Sequence, residues 1–186
     1  IPNKKVEEFS DEERARLQKA FGYTFEEYKT SILPMAQNGS EPIGAMGTDS
    51  PLPMLSDKPQ PLFNYFKQLF AQVTNPPIDS IREEIVTSTS VYIGEDGNLL
   101  VEDADNCKVL KIRNPILTDT DMLKIKYINK EGFKSEVLPI TYYKNTSLKK
   151  ALDHLRLEAD RAYKEGVNIL ILSDRDVDEF HMPIPS

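Results

Sequence analysis

The stretch that most constrains this chain is NTSLKKALDHLRLEADRAYKEGVNILIL, residues 145–172. Leu148, Ala151, Leu152, Leu155, Ala159 and Ala162 recur at helical spacing and form one apolar face, which predicts a helix over residues 145–163. Thr146 stands where an N-cap belongs, and Gly166 stands where the helix must stop. VNILIL follows at once and reads as a strand of the kind buried on both faces. A long amphipathic helix running straight into such a strand is the second half of a crossover unit, in which the helix links two parallel strands.

The segments upstream extend the same pattern. CKVLKIR, residues 107–113, alternates like a strand and is stopped by Asn114-Pro115. TDTDMLKIKYI offers a cap at Thr118 or Asp119, then a segment whose Ile125 and Ile128 would suit either a helix or a strand. Residues 133–142 carry Val137, Leu138 and Ile140, a strand interrupted by Pro139. GEDGNLL, residues 94–100, reads as a turn followed by a short extended segment. The fold class is therefore α/β: a helical N-terminal third and a mostly parallel β-α-β-α-β sheet that does not close.

The N-terminal third is expected to be a helical hairpin, residues 1–38. Ser10 with Glu13, and Thr24 with Glu27, each have capping-box spacing; Gly22 ends the first helix and Pro34 bends or ends the second. Residues 39–60 hold four prolines and two glycines beyond Gly39, yet Ile43, Met46, Leu52, Met54 and Leu55 are too apolar for a solvated tether. Residues 61–93 contain helices around an elbow. Leu62, Phe63, Phe66, Leu69, Phe70 and Val73 make an amphipathic helix, an aromatic stripe suited to a core. Thr74 and Asn75 end it before Pro76 and Pro77, and Asp79 or Ser80 caps a new helix. Residues 94–186 form the α/β portion of what reads as one domain over 1–186.

Residue chemistry excludes more than it assigns. The net charge of −7, with both signs interspersed, argues against nucleic acid or an anionic membrane as partner. No apolar run reaches the ~18 residues of a membrane helix. Cys107 is the only cysteine, so an intrachain disulfide and a cysteine-ligated cluster are both ruled out, and a reducing compartment fits. The acidic pairs Glu12-Glu13, Glu26-Glu27 and Glu83-Glu84 lie near helix starts, where carboxylates favour the dipole. In SDRDVDEFH, residues 173–181, Asp174, Asp176, Asp178 and His181 can be drawn as a metal site, but the glycine and distal glutamate of an EF-hand are missing and a salt-bridged loop explains them better. His154 lies beside the apolar face of the long helix and reads as structural. GAMGTDSP is not a phosphate loop, since it lacks the GxxxxGK[ST] pattern. No catalytic residue and no metal site is assigned.

Several stretches together resemble a known family. EPIGAMGTDSPLPMLS, LFNYFKQLFAQVTNPPIDSIREEIV, GVNILILSDR, HMPIPS and, near the start, AFGYTFEE are similar to the central domain of the glutamate synthase large subunit. The likeness runs in order over nearly the whole chain; residues 106–147 contribute least. It implies an α/β topology like part of a flavin-binding barrel. It also implies a long parent polypeptide with a glutamine amidotransferase domain, this domain, an FMN-binding barrel and a β-helix domain. In such a parent, ammonia from glutamine passes through an internal tunnel to the flavin, where 2-oxoglutarate becomes glutamate. The resemblance implies no catalytic residue in this segment and no cofactor held by it. FMN and an iron–sulfur cluster belong to the parent, and the amidotransferase and FMN-binding domains of the same chain are the partners. Its setting would be the cytoplasm, or the plastid stroma in a plant. On this reading both chain ends are those of an excised domain. Met46, Thr74 and Asn75 are the candidates for tunnel wall or interdomain surface, Met46 as a flavin-side contact, while Asp49 and Asp79 fit turn or capping roles. Ala45, Thr48 and Pro53 depart from the family pattern.

Two other readings remain at this stage. One is an independent α/β protein binding a small molecule or metal through its long loop and SDRDVDEFH. The other is a free-standing interaction module.

Overall fold

The computed structural model describes residues 5, 6, 8–42, 55, 57, 73 and 76–185. The chain divides into two units, Phe9–Pro77 and a larger one built on Ile78–Ser186 with Ile1–Glu8.

In the smaller unit, α1 (Asp11–Ala20) starts at Ser10, whose hydroxyl accepts from the Glu13 amide at 3.2 Å. Thr24 and Glu27 form the full reciprocal box at the start of α2 (Phe25–Glu27): the Thr24 amide donates to Glu27 Oε2 at 2.9 Å, and the Glu27 amide to Thr24 Oγ1 at 3.1 Å. Pro34 does not end this helix. The chain widens into a π turn over Tyr28–Ile32 and continues as α3 (Leu33–Asn38) to a left-handed Gly39. The wider turn accommodates a ring that removes one amide donor and would crowd the preceding turn. The apolar helix expected over 61–73 lies outside the described residues apart from Val73, as does nearly all of the proline-rich loop.

The larger unit opens on α4 (Ser80–Val86), capped by Asp79, which accepts from the Ile81 and Arg82 amides at 3.1 and 2.8 Å. Strand β1 (Val91–Ile93) pairs antiparallel with β2 (Leu110–Ile112). β1 was not visible in the sequence pattern, because three residues are too few to show a period. The short extended segment expected within GEDGNLL is not found; the chain turns at Leu99–Leu100 instead and continues into a 3₁₀ turn (Ala104–Cys107). Asn106 explains this local structure. Its amide donates to the Asn98 and Val101 carbonyls, both at 2.9 Å, and clamps the loop. Gly97, at φ +61°, sits against that amide, where a Cβ would collide with it.

The ambiguous segment resolves as helix α5 (Asp119–Lys126), capped by Thr118. Residues 133–142 are not one interrupted strand but two with different partners. Strand β3 (Ser135–Pro139) pairs parallel with β5 (Ile169–Ser173), whereas β4 (Thr141–Tyr143) pairs antiparallel with β6 (His181–Pro183). Pro139 has no amide to donate, and Ile140 makes the transfer: its amide bonds the Ser173 carbonyl at 2.8 Å, while its carbonyl accepts from Ile184 at 2.7 Å. Helix α6 (Leu148–Lys164) carries the crossover from β3 to β5. Its cap is Ser147 rather than Thr146.

Among the described residues the sheets are three separate pairs, one parallel and two antiparallel. The mostly parallel sheet expected from the pattern is thus met by a single pair. Strand β5 is covered on one face only. Ile169 is buried, but Leu170 and Leu172 are 41% and 57% exposed. Asn168, the one polar residue of VNILIL, staples the strand starts: its amide group accepts from the Lys134 amide at 2.9 Å and donates to the Gly132 carbonyl at 2.7 Å. Leu138, Ala162, Val167 and Ile169 are buried around this pairing, and Ile140, Ala151 and Ile184 form the neighbouring cluster.

Leu138 is 3% exposed and Leu157, on the outer side of α6, 65%. Leu138→Ala is expected to lower the unfolding free energy by roughly 2–5 kcal/mol, and Leu157→Ala by less than about 0.5 kcal/mol, in urea titrations.

Candidate functional site

Met46, Thr74 and Asn75 lie outside the described residues. Their described neighbours continue the picture of apolar surface: Val73 and Ile78 are exposed. Asp79 is a capping residue, as its position before α4 indicated.

Within the larger unit the side chains with chemical potential gather beside α6. A cleft of about 470 Å³ opens between this helix and strands β3 and β4. Its apolar wall includes Leu138, Ala151, Leu155 and Ile184, and its polar wall Thr141, Tyr142, Thr146, Lys150 and His154. Glu136, Glu158 and Arg161 line it too. Arg161 bonds Glu136 on β3 and, along its own helix, Glu158 and Glu165 at 3.1 Å each. The Glu136 bond, then those to Glu165 and Glu158, hold the guanidinium even further above its ordinary value. This hub ties α6 to β3. His154, read from sequence as structural, is exposed and part of the cleft wall.

The run SDRDVDEFH forms a braced loop. Arg175 reaches Asp119 at 3.2 Å. Asp178 accepts from the Phe180 and His181 amides, both at 2.7 Å, and from the His181 ring at 2.9 Å. These bonds, the ring's first, hold the Asp178 carboxyl below its ordinary range. Because an ionised carboxylate only accepts, Nδ1 of His181 carries the hydrogen. Among the described residues no three potential ligands converge on a metal position, and Asp174 and Asp176 do not join the pair. Cys107 is exposed, and the adjacent Lys108 turns instead to Asp105 at 3.0 Å. No described helix is long and apolar enough to cross a membrane.

A mixed α/β segment with small open sheets, a braced loop and uncovered apolar strand surface defines a structural domain of an α/β protein. Comparison with known sequences identifies which. Residues 16–186 match the family described as the glutamate synthase central domain. The chain is 42% identical over 183 residues to the glutamate synthase [NADPH] large chain of Bacillus subtilis, covering 98% of this chain and 12% of that protein. It is also 42% identical to the glutamate synthase [NADH] of Schizosaccharomyces pombe, over 90% of this chain and 8% of that protein. Ferredoxin-dependent glutamate synthase 2 of Synechocystis is 42% identical over 85% of this chain and 10% of its own length. The chain belongs to the glutamate synthase central domain family, and it spans about a tenth of the length of these relatives.

The Asp178–His181 pair makes a pH prediction. A carboxyl depressed in the folded state contributes stability that is present above the unfolded value and lost as pH falls through the folded one. In carbon-detected titrations Asp178 is therefore expected below the ordinary carboxylate range, and His181→Phe should move it up towards that range.

Proposed function

We propose that this chain acts as the non-catalytic central domain of a glutamate synthase large subunit. It links the glutamine amidotransferase and FMN-binding domains and supplies part of the wall along which ammonia passes between them. The parent would make glutamate from glutamine and 2-oxoglutarate, with FMN and an iron–sulfur cluster held by other segments. Cys107 alone offers one thiolate where such a cluster needs several. The cytoplasm, or the stroma of a plastid, would be its setting.

The observation that carries this reading is the uncovered side of β5. A strand of sequence ILILS has the composition of one packed on both faces, yet Leu170 and Leu172 are exposed. Apolar surface of that kind belongs against another layer. The parallel β3–α6–β5 unit is one repeat of the architecture from which an open, barrel-like sheet is extended, and further strands and helices of the parent would complete it. That the relatives are many times longer than the matched segment agrees with this.

Thr74 and Asn75 suit a conduit because neutral polar groups exchange hydrogen bonds with ammonia without trapping it as ammonium, as a carboxylate would. Pro76 and Pro77 stiffen the wall, and Met46 would face the flavin side.

Two outcomes test the reading. Thr74→Val in the full-length parent is expected to leave glutamine hydrolysis intact while glutamate formed per glutamine consumed falls from two, one from hydrolysis and one from 2-oxoglutarate, towards one; unchanged stoichiometry removes Thr74 from the conduit. Leu170→Asn with Leu172→Asn should leave the midpoint of the 186-residue chain within about 0.5 kcal/mol, since both side chains are exposed there, but destabilise the parent by more than about 1 kcal/mol. Equal effects in both would mean that this face meets no neighbour.

A further inference from the structure

We propose that the cleft beside α6 is a binding site for a small aliphatic carboxylate. At about 470 Å³ it lies within the size range of small-molecule pockets, which combine apolar walls with a few polar groups. It has both. Leu138, Ala151 and Ile184 are buried and give an apolar wall, to which Leu155 adds.

The charges of the lining are unequally used. Arg161 is consumed by three carboxylates, and the cleft's two acids, Glu136 and Glu158, are consumed by Arg161. Lys150 and His154 stand one helical turn apart on the same face of α6 and line the same cavity. Neither side chain has an ion pair or hydrogen bond among the described residues. The cleft's two acids, Glu136 and Glu158, each already have Arg161 as a partner. What the cleft presents to a ligand is therefore a cation, an imidazole and the hydroxyls of Thr141, Tyr142 and Thr146, next to aliphatic carbon.

That combination selects for one negative group with a short apolar body. Lysine is a point charge that binds any anion, but chloride or phosphate would leave the apolar wall unused. A neutral aliphatic molecule would leave Lys150 without a partner. A short-chain carboxylate satisfies both sides. With few heavy atoms, its affinity should be on the order of 1 mM.

The test is titration of the 15N-labelled 186-residue chain with isovalerate at constant ionic strength, reading amide shifts. Saturable shifts confined to β3, β4 and α6 are expected, with isoamyl alcohol and chloride each binding at least about tenfold more weakly. Lys150→Met should weaken isovalerate about tenfold, whereas Lys149→Met, the same charge loss one residue away, should leave it within about twofold. No saturation up to about 20 mM, shifts mapping elsewhere, or equal binding of the alcohol would overturn the proposal. So would equal weakening by the two lysine variants, which would mark diffuse attraction only. The wild-type titration decides the question even if a variant folds poorly. Failure here would leave the glutamine-coupling test of the central-domain role unaffected.

Discussion

The parallel pairing of β3 with β5 is the constraint on which the larger unit depends. Two parallel strands cannot be joined by a tight turn, so a crossover is obligatory, and α6 is that crossover. Its fully buried Ala162 and the buried Leu138, Val167 and Ile169 remove the helix and strands from water together. The polar groups reinforce rather than create the pairing. Asn168 locks the strand starts in register, Lys134 reaches the Glu165 carbonyl at the end of α6 at 2.8 Å, and Arg161 ties the helix back to β3. These contacts are largely exposed, so their service is to fix alignment more than to add stability.

From this pair the rest is arranged outward. Ser135 on β3 donates to the Lys126 carbonyl at 2.9 Å and so anchors the end of α5. Ile140 hands the chain from the parallel pair to the β4–β6 pair, using its amide for one and its carbonyl for the other. The cleft exists because of this change of partner. Residues of β3 and β4 on either side of that change line it together with Lys150 and His154 of α6.

Local signals were the most legible. Ser10, Thr24, Asp79 and Thr118 cap the helices that their spacing announced, because a cap is a contact between residues two or three apart and leaves its mark in the sequence. The same logic failed by one residue at Thr146, where Ser147 performs the equivalent chemistry. Strand partners were much less legible. Val91–Ile93 is too short for a period, and nothing in residues 133–142 states that the segment divides between two sheets. In the candidate site, SDRDVDEFH forms a braced loop of the kind its charges suggested, while the exposure of His154 on the cleft wall was not legible, since a position next to an apolar helix face does not say what stands opposite. The family was legible from linear motifs such as QVTNPPIDSIREE, and the match over residues 16–186 agrees.

By itself, then, the sequence determined most of the described helices and caps, the crossover unit and the family, all of which rest on contacts or patterns between near neighbours. Only the tertiary structure decided the rest. It gave β3 and β4 different partners, left Leu170 and Leu172 uncovered, and spent Arg161 on Glu136 while Lys150 and His154 found no side-chain partner among the described residues. The reason is physical: burial and charge pairing are settled by what approaches from distant parts of the chain, and an apolar or charged residue carries no local mark of whether a neighbour will arrive.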